Sequence, residues 1–252
     1  MVKTEWKSPS EIKFNVGDCK SLTIFSCATC ANLSGTGGKE GVRYMRRLLD
    51  KWGVKVVSSR IVITCCPLAV MSNAIKHHKR YLEKSDGLIV LACSSGVKSA
   101  MICDPGIKVV NVLDTLGPVT VGAHSDDPRA GSLCKSCEQC VITFTDGICP
   151  VSECPLGKLY GPCKNAPKEG DPDRCFTDPK RECVWVKIRE RGDIEKLGQL
   201  KALSPQWRDE DVSIRPAPRP ISTDKARTRL GNRIAKYGWL SHLYERIALR
   251  ID

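Results

Sequence analysis

Between Leu133 and Pro155 the chain reads LCKSCEQCVITFTDGICPVSECP, in which five of twenty-three residues are cysteine and two of those precede proline. Through Trp185 the thiols number eight: Cys134, Cys137, Cys140, Cys149, Cys154, Cys163, Cys175 and Cys183. Thiolates are soft donors that select zinc or iron-sulfur clusters over hard cations. Eight suffice for two four-ligand centres. The spacing Cys134-x-x-Cys137-x-x-Cys140 is the most informative part, because two such gaps wrap three sulfurs around one corner of a four-iron cubane, with a fourth cysteine before proline supplied from farther along. Cys149-Pro150 and Cys154-Pro155 both offer that ending. Zinc competes, since it also takes four thiolates, but its sites usually present paired Cys-x-x-Cys knuckles. The spacing favours two [4Fe-4S] clusters, with one cluster plus one zinc, or two zincs, as alternatives. How the eight thiols divide between two centres does not follow from spacing. Of the four histidines none lies within this segment, and the adjacent His77 and His78 read as solvated surface residues of a helix.

Five more cysteines acquire meaning from the elements that must carry them. From Ser21 to Val112, short apolar runs alternate with helical patterns, the rhythm of βαβ units and a parallel sheet. Strands are expected at Ser21 to Ser26, within Val54 to Thr64, at Gly87 to Cys93 and at Ile107 to Leu113. Helices are expected through Val42, Met45 and Leu49 up to Trp52-Gly53, and from Leu68 to Lys84. Cys27 and Cys30 follow the first strand, Cys65 and Cys66 the second, and Cys93 closes the third. All lie at carboxyl ends of parallel strands, the edge where open α/β sheets bind ligands. A third metal centre from Cys27, Cys30, Cys93 and one of Cys65 and Cys66 is therefore expected. Adjacent residues in extended chain point opposite ways, so only one of Cys65 and Cys66 is expected to ligate, and sequence does not choose. The plainer reading is that cysteine is often simply buried, which suits Cys19 and Cys103. The loop GTGGKEGV (Gly35 to Val42) matches neither phosphate-binding pattern and reads as turn glycines beside a ligand loop.

Composition bounds the rest. With 252 residues and 41% hydrophobic side chains, the chain can bury a sizeable core. The start, MVKTEWKSPSEIKF, lacks a signal-peptide pattern, and no apolar run reaches the roughly 20 residues of a membrane span. A cytoplasmic protein with reduced or metal-bound thiols is expected. The formal charge of +12 would suggest nucleic acid, yet cluster-bound thiolates would offset it and aromatics are sparse, so no nucleic-acid partner is expected. The expected organisation is an α/β domain with an open parallel sheet (1–130, ending in a Gly- and Pro-rich linker from Asp114 to Gly131), a small cysteine-rich, metal-stabilised domain (131–190), and a linker with a C-terminal helical tail (191–252). The cysteine-rich segment shows little apolar periodicity, so metal is expected to hold it in place of a hydrophobic core of its own. In the tail, an amphipathic piece at Ile194 to Leu203 precedes a proline connector, Arg215 to Ile221. A helix with Leu230, Ile234, Tyr237, Leu240, Tyr244 and Ile247 on one face follows.

The segment CKSCEQCVITFTDGICPVSECPLGKLYGPCKN, with CVW at Cys183 to Trp185, resembles the methylene-tetrahydrofolate reductase C-terminal domain family, the small iron-sulfur subunit of that reductase. The early Cys-x-x-Cys with its TGG loop, the LAC-x-x-GV strand end and the LGQL stretch extend the resemblance over roughly residues 20–210. The chain departs from the family in DGICP, where GGICP is usual, and in GPCKN, where GPCGG is usual. The resemblance implies a subunit without catalytic residues or organic cofactor of its own. Its partners would be an FMN-dependent, TIM-barrel methylenetetrahydrofolate reductase catalytic subunit and an electron-donor protein. The twelve cysteines Cys27, Cys30, Cys65, Cys93, Cys134, Cys137, Cys140, Cys149, Cys154, Cys163, Cys175 and Cys183 would hold clusters that carry electrons between them. The alternative is a zinc-stabilised scaffold that assembles the reductase without carrying electrons.

Overall fold

The alternating apolar runs form a four-stranded parallel sheet. The computed structural model describes residues 2–117, 127, 129, 134–168 and 170–203. The strands are β1 (Lys3–Trp6), β2 (Ser21–Cys27), β3 (Lys55–Val62), β4 (Gly87–Leu91), β5 (Lys108–Asn111) and β6 (Leu113–Leu116). The helices are α1 (Pro9–Val16), α2 (Cys30–Leu33), α3 (Gly38–Lys51), α4 (Leu68–Leu82), α5 (Ser94–Ile102), α6 (Pro150–Glu153), α7 (Val184–Arg191) and α8 (Ile194–Leu203). In the main sheet the order is β3-β2-β4-β5, every neighbour parallel. Every residue of β4 is buried, as a strand covered on both faces requires, which accounts for its unbroken apolar run. Helix α3 buries Val42, Met45 and Leu49 at helical spacing against the same core. The chain leaves β2 for one side of the sheet and returns to β4 on the other, so winding reverses between β2 and β4. That reversal opens a crevice at the strands' carboxyl ends.

Two expectations at the end of this region are corrected. The run Ile107 to Leu113 is not one strand: it breaks at Val112, and β6 leaves the parallel sheet to pair antiparallel with β1. Polar anchors impose the break. Lys7 N donates to Val112 O at 3.1 Å, Lys7 Nζ pairs with Asp114 Oδ1 at 2.7 Å, and Leu113 N donates to Asn111 Oδ1 at 3.3 Å. Asp114 to Leu116, read as the start of a linker, is therefore strand. His78 is also less solvated than expected, with Nε2 3.0 Å from Ser58 Oγ and its ring edge-on to Phe25, whereas His77 is exposed.

A further correction concerns the cysteine-rich segment, which does contribute to a hydrophobic core. Val141, Phe144, Ile148, Val151 and Leu159 pack with Trp185, Ile188, Leu197 and Leu200. The apolar residues come from turns and two short helices, so no single period betrays them; Cys154, Cys175 and Cys183 are buried among them. Ile142 and Cys140 pack instead on the core of the parallel sheet, and Asn111 N donates to Thr143 Oγ1 at 2.9 Å, so the segment is seated on the sheet. The amphipathic piece Ile194 to Leu203 is α8. The proline connector and the expected helix from Leu230 to Ile247 lie outside the described residues. Among the described residues, no helix is long and apolar enough to cross a membrane.

Candidate metal centres

The first group of thiols gathers at the sheet crevice. Cys27 ends β2 and Cys93 caps α5 just after β4, so the two flank the point where winding reverses. Cys30 opens α2, and Cys65 and Cys66 follow β3. The Cys65 thiol hydrogen-bonds the Cys27 sulfur, which with help from Thr29 Oγ1 at 3.1 Å draws Cys27 down to about 6 and drives Cys65 well above the ordinary thiol range. Burial raises Cys93, and the neighbouring sulfurs of Cys66, Cys27 and Cys30 raise it further. Both Cys65 and Cys66 thus border the group: Cys65 wholly buried beside Cys27, Cys66 half-buried beside Cys93. Glycines make room here. A Cβ on Gly37 would lie 2.8 Å from Ala31 Cβ, Gly38 has φ +64°, and a Cβ on Gly96 would lie 2.8 Å from Cys65 Cβ.

The second group is Cys134, Cys137, Cys140 and Cys149. Ser136 and Glu138 adopt left-handed backbone at φ 53° and 61°, curling the loop so that successive thiols face one cavity. Burial and then Cys149 raise both Cys134 and Cys137, the latter to about 12. Burial raises Cys140 as well, partly opposed by Lys7. The loop is pinned from the N-terminal ribbon: Asp114 Oδ1 accepts from Cys140 N at 2.8 Å and from Lys7 Nζ at 2.7 Å, with both side chains largely buried. Lys7, Asp114, Ser94 and Lys98 have no motif that marks them in the sequence, since topology alone brings them to these thiols.

The third group joins Cys154, Cys175 and Cys183, the last raised by burial and then by Cys175 and Cys154. A one-residue bridge between Arg174 and Glu182, with Cys175 N to Arg181 O at 2.9 Å and Cys183 N to Asp173 O at 2.8 Å, sets their spacing. Cys163 is half-buried in a turn closed by Ala166 N to Cys163 O at 3.0 Å; the contacts that define the three groups do not include it. Cys19 and Cys103, expected to be ordinary buried residues, both pack half-buried against the main core, and Cys103 is pushed up to about 11 by burial.

Donor chemistry fits thiolate-bound metal. Buried thiols set side by side resist ionising together, whereas a bound cationic centre deprotonates its thiol ligands outright. The sulfurs are grouped by the fold without being closed on a point: among the described residues, no three His, Cys, Asp or Glu side chains are arranged to hold a single ion. The departure DGICP also has a structural reason. Asp146 sits at φ 48°, a conformation natural to glycine and tolerated by aspartate, and its carboxylate holds Arg191 Nε at 2.9 Å and Arg129 Nη1 at 3.6 Å.

Residues 115–212 match the family model described as methylene-tetrahydrofolate reductase C terminal. The matched residues include all cysteines of the second and third groups and leave the first group outside. No curated protein and no solved structure matches the chain.

Proposed function

We propose, on the premise that residues 115–212 belong to the methylene-tetrahydrofolate reductase C-terminal family, that the chain is the non-catalytic, electron-carrying subunit of such a reductase. The first centre is assigned to Cys27, Cys30, Cys65 and Cys93, with Cys66 beside them. The second is assigned to Cys134, Cys137, Cys140 and Cys149, and the third to Cys154, Cys175 and Cys183 with Cys163 completing the set by elimination. Iron-sulfur clusters bound there supply one-electron transfer, which a pterin-reducing flavin enzyme needs from any single-electron donor. The partner is then an FMN-dependent TIM-barrel subunit, and a second partner protein donates the electrons.

One observation carries this reading over a scaffold role: the first two groups are contiguous. Val2 and Cys93 form a small buried cluster against which Cys134 packs. A conduit requires neighbouring centres, whereas a scaffold does not. The protein's own work is to exclude water from these sulfurs and to fix their separations through β2, β4 and the pinned loop at Cys140. Anaerobic purification with quantification of iron, acid-labile sulfide and zinc, alongside a visible absorption spectrum, tests the reading. Iron and sulfide in cluster ratio, with a reducible chromophore, are expected. A colourless chain binding only zinc would overturn the electron-carrying role and leave the scaffold.

A further inference from the structure

Among the described residues, the second thiol group is the only one of the three that packs on both cores of the molecule. Cys140 lies against the core of the parallel sheet, which holds Cys27 and Cys65 of the first group. Cys137 and Cys149 lie against the second core, which holds Cys154, Cys175 and Cys183 of the third. Cys134 packs in turn on the small cluster of Val2 and Cys93, so the first and second groups also meet there. No described thiol of the first group belongs to the second core, and none of the third belongs to the core of the sheet.

The joint between the second and third groups is a single helical turn. Cys149 is the N-cap of α6 and Cys154 its C-cap, with four residues and about 6 Å of helical rise between them. Pro150 presets the backbone at the first helical position. Glu153 N donates to Cys149 O at 3.0 Å and Cys154 N to Pro150 O at 2.9 Å, and Val151 is fully buried in the second core. The ends of this fixed turn belong to different groups. Cys149 lines the cavity with Cys134, Cys137 and Cys140, whereas Cys154 is buried with Cys175 and Cys183.

We propose that the three thiol groups form a line in which Cys134, Cys137, Cys140 and Cys149 hold the inner relay. Cys93 and Cys134 join it to the first group, and α6 joins it to the third. This rests on the electron-carrying reading above. Electron transfer weakens steeply with separation, so two short steps through the inner position outrun one direct step between the outer ones. For each electron passed along, a reduced one-electron donor protein is oxidised at one end and the flavin of the partner subunit is reduced at the other. No bond to this chain forms or breaks. The work of Cys134 and α6 is to keep both gaps short.

The test uses the full chain, purified anaerobically and fully reduced, with separations between paramagnetic centres measured by pulsed electron paramagnetic resonance. Two short separations and one clearly longer are expected, and three similar separations overturn the line. Cys134→Ala, Cys93→Ala and Cys183→Ala then assign the order, each expected to lose about four irons, the content of one cubane. Cys134→Ala should leave only the long separation, whereas Cys93→Ala and Cys183→Ala should each leave a short one. A short separation in Cys134→Ala protein that has lost one centre overturns the inner position. If that variant keeps all its iron or loses it all, the other two decide, and a long separation left in either overturns the proposal. Wild-type protein without iron defeats the electron-carrying reading itself. Iron-loaded protein with three similar separations leaves that reading standing and removes only the order.

Discussion

The thiols at the sheet crevice and those from Cys154 to Cys183 are held in place by different forces. Cys27 and Cys93 stand at the ends of strands whose ladders and buried side chains would exist without any metal: Ile24, Phe25, Leu88, Ile89, Val90 and Leu91 are wholly buried around them. Cys175 and Cys183 instead sit in a stretch where, among the described residues, no helix or strand lies between α6 and α7; an isolated bridge and short backbone hydrogen bonds set their spacing, and the second apolar core, with Trp185 and Ile188, covers them. One group is a site that the fold presents. The other, on the proposed metal-bound reading, adds the metal to an apolar core in making its own surroundings fold. The second group lies between these extremes, its loop irregular but pinned to the ribbon through Asp114.

Metal removal should expose that difference most strongly. Thiolate sites in small metal domains carry roughly 10 kcal/mol or more of folding free energy. Stripping the reduced protein with a chelator should abolish hydrogen-exchange protection at Cys175 and Cys183 amides while those of β2 and β4 stay protected. Equal protection throughout the stripped chain would erase the contrast.

Asp114→Ala comes next in size, because it attacks the pin between the ribbon and the second group. Lys7, with 1% of its side chain exposed, would lose its 2.7 Å partner and keep only Glu11 at 3.9 Å. Breaking a buried pair from one side costs about 3 kcal/mol or more. Urea unfolding should show that loss, and the spectrum of the second centre should change with Cys140 unpinned. A variant as stable as wild type would mean that the seating of this loop owes nothing to the ion pair.

How far these arrangements were legible in the sequence follows the same divide. The parallel sheet could be read because β2, β3 and β4 are apolar runs separated by helical periods, and their carboxyl ends carried the first group with them. The ribbon could not: Lys3–Trp6 is four residues of mixed polarity, and its partner β6 continues an apolar run that looked like part of β5. The second core was hidden because Phe144, Ile148, Leu159 and Trp185 share no period. Spacing left the partition of eight thiols undetermined, since Cys149 and Cys154 are both followed by proline; three-dimensional neighbours separate them, Cys149 beside Cys134 and Cys137, Cys154 beside Cys183. Lys98 was invisible for a related reason, being a lysine on a short helix whose burial depends on a loop some forty residues onward.

Gly96→Ala sharpens the comparison at moderate size. Its Cβ would lie 2.6 Å from Ala92 Cβ and 2.8 Å from Cys65 Cβ, so α5 must retreat from the first group. Overpacking of this kind costs about 1–3 kcal/mol. The spectroscopic signature of the first centre should change while that of the third does not. A change in the third alone would contradict the placement of Cys65.

The smallest effect is expected at the far end of the sheet, away from all thiol groups, where Asp86 ties the starts of β2 and β4 together. Its Oδ2 accepts from Lys20 N and Ser21 N at 2.8 Å each and from Ser21 Oγ at 3.0 Å. Those backbone donors hold its pKa below the ordinary 3.8. A carboxylate with a depressed folded-state value contributes stability above its unfolded pKa and loses that contribution as pH falls through the folded value. The advantage of wild type over Asp86→Asn, read from urea midpoints, should therefore be constant from neutral pH down to the unfolded range and then fade in stronger acid. Because this carboxylate is exposed, salt and solvent should keep the difference small, and metal content should be the same in both proteins. An advantage that persisted undiminished in strong acid would show that shape and hydrogen bonding at this turn, and not the charge, join the two strands that carry Cys27 and Cys93.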